Sequence, residues 1–113
     1  MLIGELSRRS GVGARSLRYY EQHGLIAAER GANGYREYAE ATVERARNVQ
    51  LLFQLGIDRG LARAVLACSG DVPAEVHRAT HEQLAEVRDR MAEQILELST
   101  AHAALEQLVE RTR

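Results

Sequence analysis

The chain has 113 residues, of which 45% are hydrophobic and 4% aromatic. This is enough for one domain, or for a small domain followed by one long helix. The single cysteine, Cys68, excludes an intramolecular disulfide and with it a secreted disulfide scaffold. No segment has the length and hydropathy of a membrane span, and the first residues lack the pattern of a secretory signal. We therefore expect a cytoplasmic protein.

The net charge of −1 hides an uneven distribution of charge along the chain. Residues 1–70 carry ten arginines and seven acidic residues, a balance of +3. Residues 71–113 carry five arginines and nine acidic residues, a balance of −4. Such an asymmetry is expected when one part of a chain meets a polyanion and the other part stays away from it.

Two short helices are predicted near the N-terminus, over residues 3–9 and 14–23. They are joined by Ser10-Gly11-Val12-Gly13, in which glycine can take the left-handed conformation that a tight connection needs. Gly24 is placed to end the second helix. Two short helices joined by a glycine-containing turn are typical of a helix-turn-helix.

The second of these helices has one polar face. Four residues recur at the spacing that places side chains on one side of a helix: Arg15, Arg18, Tyr19 and Gln22. Leu17 and Tyr20 lie off this face and can pack inward. Two guanidiniums, a phenol and an amide suit a groove lined with phosphate oxygens and base edges.

A β-hairpin is predicted directly after the two helices. The dipeptide Asn33-Gly34 supplies the positive φ values of a tight two-residue turn. More tyrosine and arginine follow, at Tyr35, Arg36 and Tyr38. The hairpin would form a wing beside the second helix, and the combination indicates a winged helix-turn-helix that binds DNA.

Two further helices follow the wing. One is predicted over residues 39–55, with an apolar stripe formed by Val43, Ala46, Val49 and Phe53. Asp58 would cap the next helix, which continues to about residue 67 and is closed by Gly70. Pro73, the only proline, suits the first turn of a last helix.

The last helix, over residues 76–111, would be about 50 Å long at about 1.5 Å per residue. It has a heptad rhythm: Leu84, Met91, Leu98 and Leu105 recur every seven residues, and Val87, Gln94, Ala101 and Leu108 fill the alternate seam position. A small domain cannot bury such a stripe alone, so we predict a homodimer. The alternative is a helix folded back on its own domain. The prediction is thus a mostly α-helical chain, with a winged helix-turn-helix domain over residues 1–70 and a coiled-coil dimerisation helix over residues 71–113.

Together these motifs resemble the MerR family of bacterial transcription regulators. The resemblance rests on Ile3-Gly4-Glu5-Leu6, Ser10-Gly11-Val12, Leu17-Arg18-Tyr19-Tyr20-Glu21, Gly24-Leu25-Ile26, Arg30 and Gly34-Tyr35-Arg36 with Tyr38. It implies a short-form member without a C-terminal effector-binding domain, joined as a dimer by an antiparallel coiled coil. Such dimers bind a palindromic site in the spacer of a promoter and distort the DNA, which controls RNA polymerase.

The resemblance also implies which residues contact DNA. The expected contacts are Arg15, Ser16, Arg18, Tyr19, Tyr35, Arg36, Tyr38 and Arg59, the last from a second wing. Arg15 and Ser16 stand where base edges are usually read. The alternative for Tyr20 and Tyr38 is packing in the core, and for Arg30, Arg45 and Arg47 it is simple solvation.

No cofactor is predicted, and the signals for an effector are weak. Cys68 falls on one helical face with Leu61 and Val65, as a small buried hydrophobe would, although a redox role is the alternative. His77 and His81 are spaced so that one helix could offer both imidazoles to a metal, but such a pair lacks further ligands unless Cys68, Glu82 or a partner chain supplies them. A metal or small-molecule effector therefore stays open.

Two other classes of protein compete with the regulator. An architectural DNA-bending factor can share the winged fold, but small proteins of that class usually lack the long heptad helix. An adaptor that works only through protein contacts would have no use for the arginine and tyrosine set of residues 15–36. An enzyme is not expected, since the chain has no nucleophile–base pair and no phosphate-cradling loop.

Overall fold

The structure is a computed structural model that describes residues 1–113. It contains five helices and one two-stranded antiparallel sheet: α1 Ile3–Ser10, α2 Ala14–Gln22, β1 Glu29–Arg30, β2 Arg36–Glu37, α3 Ala41–Gln54, α4 Arg59–Ala67 and α5 Ala74–Arg111. The chain divides into two compact units, Met1–Asp71 and Val72–Arg113. No helix is long and apolar enough to cross a membrane.

The turn between α1 and α2 is fixed by serine side chains. Gly11 ends α1 with a φ of 77°, in the left-handed region that favours glycine. The Ser7 hydroxyl donates to the Val12 carbonyl at 2.7 Å, and the Ser10 hydroxyl accepts from the Val12 amide at 3.1 Å. Val12 is thereby held in the angle between the helices, where it is fully buried. The predicted helix-turn-helix is confirmed.

A Schellman motif closes α2 at the predicted glycine. Gly24 has a φ of 72°, its amide donates to the Glu21 carbonyl, and the Leu25 amide donates to the Tyr20 carbonyl at 2.8 Å. Leu25 then turns into the core, where it is fully buried. The end of α2, the recognition helix of the predicted helix-turn-helix, is therefore set by backbone geometry as well as by packing.

The wing turn differs from the prediction. Gly34 has a φ of 82°, but no residue other than glycine has a positive φ, so Asn33 does not take part in a two-residue turn of the expected kind. Instead the Gly34 amide donates to the Gly31 carbonyl at 2.9 Å and the Gly31 amide donates to the Tyr35 carbonyl at 2.8 Å. This pattern is a three-residue loop in which Gly34 forms the bulge.

The helices α3 and α4 are joined by a second glycine turn. Gly56 has a φ of 81°, and the Ile57 amide donates to the Leu52 carbonyl at 3.1 Å. The predicted cap of α4 is confirmed, because Asp58 Oδ1 accepts from the Leu61 amide at 2.8 Å. The start of α3 is two residues later than predicted, at Ala41.

The core of the first unit lies between α1, α2 and α3. Its fully buried large side chains are Leu6, Val12, Leu17, Leu25 and Val49. The predicted stripe of α3 is confirmed, because Val43, Ala46 and Val49 are buried and the half-buried Phe53 packs against the core. Thr42, which is not part of the stripe, is buried as well.

The N-terminus is hydrogen-bonded to the end of the wing. The Met1 ammonium donates to the Tyr38 carbonyl at 2.8 Å, and the Tyr38 amide donates to the Met1 carbonyl at 2.7 Å. Nearby, the Arg9 guanidinium binds both carboxylate oxygens of Glu40, at 2.8 and 2.5 Å. These contacts join α1 to the segment that leads from the wing into α3.

The second unit consists mainly of α5, whose 38 residues span about 57 Å at about 1.5 Å per residue. The apolar side chains of its C-terminal half are exposed. They include Leu98, which is 72% exposed, Leu105 at 59% and Leu108 at 51%. The predicted long helix is therefore present. The C-terminal part of its heptad seam faces water in the single chain, whereas Leu84 and Val87 nearer its start are half-buried.

Candidate nucleic-acid interface

The outer face of α2 carries the side chains that the sequence indicated. Arg15, Ser16 and Arg18 are exposed, while Leu17 and Tyr20 are buried on the other side of the helix. The recognition face is therefore turned away from the core. None of the ion pairs of the chain involves Arg15 or Arg18, so both guanidiniums are available to a ligand.

Glu21 joins α2 to the wing. One carboxylate oxygen forms an ion pair with the Arg36 guanidinium, and the other accepts a hydrogen bond from the Tyr38 hydroxyl at 2.5 Å. The Glu21 side chain is only 15% exposed, which strengthens both contacts relative to a surface pair. The wing is thus held at a fixed position beside the recognition helix.

Tyr38 does not fit the predicted role of a DNA contact. It is 4% exposed, and burial, followed by the hydrogen bond to Glu21, raises the pKa of its hydroxyl to about 12. Its ring packs in the core, which is the alternative given above, and its hydroxyl supports the wing. The burial of Tyr38 therefore corrects its predicted role, from a DNA contact to a support for the wing.

The other predicted wing residues are on the surface. Tyr35 is 65% exposed, and its amide donates to Asn33 Oδ1 at 3.2 Å, which fixes the loop that carries it. The Arg36 side chain is 66% exposed in spite of its ion pair with Glu21. Both side chains can therefore reach a ligand beside α2.

A second group of side chains connects α2 to the start of α4. Arg59 Nη1 lies 3.2 Å from the Tyr19 hydroxyl and 3.2 Å from His23 Nε2, and the rings of Tyr19 and His23 are 4.3 Å apart. Arg63 donates to the His23 carbonyl at 2.5 Å. Partial burial, then the charges of Arg59 and Arg63, lower the pKa of His23.

The structure thus brings the predicted residues Tyr19 and Arg59 together, although 40 residues separate them in sequence. His23 and Arg63 join this group without any signal in the sequence. His23 caps the end of α2, and only the fold shows that α4 begins beside it.

Two arginines that looked merely solvated have structural partners. Arg45 Nε donates to the Leu25 carbonyl at 2.6 Å, and Arg47 donates to the Arg9 carbonyl at 2.6 Å. Each guanidinium satisfies a backbone carbonyl near the end of another helix. By contrast, no ion pair includes Arg30, which lies exposed on β1.

The candidate effector ligands lie at the end of α4 and in the N-terminal part of α5. Cys68 is half-buried at the end of α4, and His77 and His81 are exposed one turn apart on α5. No group of three or more histidine, cysteine, aspartate or glutamate side chains is arranged to hold a metal ion. The single chain therefore provides no third ligand for the histidine pair.

An exposed arginine-rich helix, preceded by a tight turn and flanked by a hairpin wing, defines the class of winged helix-turn-helix DNA-binding proteins. The family model described as "MerR HTH family regulatory protein" matches residues 1–67. The chain belongs to this family, and it is a DNA-binding transcriptional regulator rather than an enzyme.

A curated relative agrees with this assignment. The chain is 41% identical over 112 residues to the HTH-type transcriptional regulator HmrR of Rhizobium leguminosarum bv. viciae, an alignment that covers 96% of this chain and 84% of that protein.

Two solved structures share its fold. A MerR family regulator from Listeria monocytogenes matches with a TM-score of 0.73 and 24% identity, over 96% of this chain and 83% of that one. HiNmlR, a MerR family regulator that lacks the sensor domain and was crystallised on promoter DNA, matches with a TM-score of 0.66 and 20% identity, over 88% of this chain and 75% of that one.

Proposed function

We propose that the protein acts as a homodimer that binds a palindromic promoter spacer and distorts the DNA to control RNA polymerase. The observation that carries the proposal is the exposed arginine face of α2 together with its carboxylate link to the wing. Residues 1–70 form the DNA-binding domain in this proposal, and residues 71–113 form the dimerisation helix.

The DNA contacts follow from exposure and position. Arg15 and Ser16, in the first turn of α2, read base edges in the major groove, and Arg18 and Tyr19 contact the backbone. From the wing, Tyr35 and Arg36 contact the adjoining phosphates. Arg59 contributes from the start of α4.

Dimerisation follows from the apolar surface of α5. Met91, Leu98 and Leu105 recur every seven residues, Leu108 fills the alternate seam position, and all four are exposed in the single chain. Burying apolar area contributes about 25 cal/mol per Å², so an exposed stripe of this length favours a partner. A second copy of α5, running antiparallel, offers the same stripe and therefore fits it.

The dimer couples the two DNA-binding units in a way that suits DNA distortion. Each wing is joined to its recognition helix by Glu21, so each unit binds its half-site as one body. Two such units, joined through the dimer, can bend or untwist the DNA between their half-sites, and this deformation of the promoter spacer is the step that RNA polymerase senses. HiNmlR, which shares the fold, was crystallised on promoter DNA, which supports a promoter as the target.

A footprint of the purified protein on its own upstream region, with and without RNA polymerase, tests the proposal. We expect protection of a sequence with two-fold symmetry between the two promoter elements, and altered reactivity at its centre where the DNA is distorted. Protection without symmetry would contradict the dimer. A symmetric footprint with undistorted DNA would contradict the mechanism while leaving DNA binding intact.

A further inference from the structure

The wing pairs like charges across its two strands. Glu29 lies opposite Glu37, and Arg30 lies opposite Arg36. All four residues are exposed. Like charges directly opposite each other in an antiparallel pair are destabilising. The arrangement therefore destabilises the isolated hairpin. A charged ligand that binds one face of the hairpin would account for it.

The two pairs lie on opposite faces of the hairpin, because successive residues of a strand point to opposite sides. The arginine face is the one beside α2, since Arg36 forms its ion pair with Glu21 there. The glutamate face lies on the other side, where Glu29 and Glu37 line a depression together with Arg45. The wing thus has one basic face next to the recognition helix and one acidic face away from it.

The basic face has an excess of positive charge. Glu21 is the carboxylate beside this face, and both of its oxygens already accept hydrogen bonds, one from Arg36 and one from Tyr38. Arg30 has no ion-pair partner. Arg18 lies one helical turn before Glu21 on α2, so its guanidinium is close to the same carboxylate. Three guanidiniums against one carboxylate leave two positive charges without a partner.

The hairpin register places two of these arginines side by side on one face of the wing. The Gly31 amide donates to the Tyr35 carbonyl, so Gly31 and Tyr35 form a hydrogen-bonded pair. The next pair, Arg30 and Arg36, is then of the non-hydrogen-bonded kind, in which side chains lie closer. Their Cβ atoms are expected to be about 5 Å apart. Two arginine side chains that start this close together on one face of the hairpin are long enough for both guanidiniums to donate to the oxygens of one phosphate.

We propose that Arg30 and Arg36 together bind one backbone phosphate of the DNA, and that Glu21 holds Arg36 in position before the DNA arrives. The inference rests on the proposed function, because duplex DNA supplies the phosphate. The glutamate pair repels the backbone from the opposite face, so the wing can approach DNA in one orientation only.

The first test needs no DNA. Arg30→Gln removes the repulsion across the hairpin and breaks no ion pair, so its thermal midpoint should equal or exceed that of the wild type. Arg36→Gln also removes the repulsion, but it leaves the largely buried Glu21 carboxylate without its guanidinium, so its midpoint should fall. A clear loss of midpoint in Arg30→Gln would give Arg30 a structural role and overturn the proposal.

The second test measures affinity for duplex DNA over a series of salt concentrations. Each single variant should bind about tenfold more weakly or worse, with a shallower salt slope, since each lost phosphate contact reduces the slope by up to about 0.9. Arg88→Gln on α5 makes the same change of net charge and is the matched control. It should stay within about twofold of the wild type.

The double variant Arg30→Gln/Arg36→Gln decides whether one phosphate is shared. If both guanidiniums hold the same group, removing either one releases most of the contact, so the double loss should be smaller than the product of the two single losses. A loss equal to or greater than that product would mean separate phosphates and overturn the proposal. If the wild type binds duplex DNA and Arg30→Gln binds it as tightly as Arg88→Gln does, this inference fails while the proposed function stands. A wild type that binds no duplex would overturn the proposed function as well.

Discussion

Glu21 on the recognition helix accepts a hydrogen bond at 2.5 Å from the hydroxyl of Tyr38, which ends the wing 17 residues later. The contact is largely protected from water, since Tyr38 is 4% exposed. It also connects two elements that must move together if the protein is to bind a groove and the adjoining backbone at once. Its protonation behaviour offers a direct way to observe it.

Tyr38 should titrate near pH 12, because burial and Glu21 raise its pKa to about 12. The raised pKa means that the folded state holds this proton more tightly than the unfolded state, whose tyrosines titrate near pH 10. The stabilisation is therefore complete below about pH 10 and is lost as the pH rises towards 12. Ultraviolet absorbance of phenolate during an alkaline titration measures this transition.

The Tyr38→Phe variant is the control for this titration. It keeps the buried ring and removes the hydroxyl, so the latest of the phenolate transitions should disappear while the others stay. Since the chain has no lysine, few other groups titrate in this range. A wild type in which all tyrosines titrate together near pH 10 would contradict the buried contact.

His23 should make the fold less stable in mild acid. Its pKa is lowered by partial burial and by the charges of Arg59 and Arg63, so the unfolded state binds the proton more tightly. The stability that neutral His23 contributes is present above about pH 6.5 and is lost as the pH falls towards the folded pKa. Thermal midpoints between about pH 5 and 7.5 measure this loss. His23→Gln keeps an acceptor for Arg59 and should show a flatter dependence; equal slopes would show that His23 does not carry the effect.

Arg18→Ala should weaken binding to every duplex, whatever its sequence, and should make the salt dependence shallower. The proposed contact is to a phosphate, so its loss removes counterion release but no base recognition. Affinity for two unrelated duplexes, each measured over a series of salt concentrations, separates these effects. A variant that loses affinity for one sequence only would make Arg18 a base-reading residue.

Leu98→Glu should dissociate the proposed dimer. Leu98 occupies the seam of α5, and an unpaired carboxylate buried there would be strongly unfavourable. Leu96 is as exposed in the single chain, at 68% against 72%, but lies off the heptad seam, so Leu96→Glu is the matched control. Sedimentation should give a monomer for the first variant and a dimer for the second. If both stay dimeric, another surface forms the interface.

Local signals in the sequence predicted the helical part of the fold well. Gly24 and Asp58 end and begin helices for reasons that act within a few residues, so their roles could be derived before the structure was known. The wing turn was predicted wrongly for a related reason. Asn-Gly suits both a two-residue turn and a longer loop with a glycine bulge, and the choice depends on how the strands pair.

The candidate site was predictable where it lies on one helix and obscure where it depends on distant contacts. The polar face of α2 follows from helical periodicity alone. The burial of Tyr38 and the approach of Arg59 to His23 depend on contacts between residues 17 and 36 positions apart. No local pattern of residues encodes such separations.

The carboxylate link between helix and wing also limits how this protein can be re-targeted. Transplanting residues 14–22 alone into a related scaffold would carry Glu21 to a site where Arg36 and Tyr38 are not guaranteed, leaving a largely buried carboxylate without its donors. A transplant of residues 14–38 carries both partners and the turn between them. The smallest exchangeable specificity module is therefore the helix with its wing.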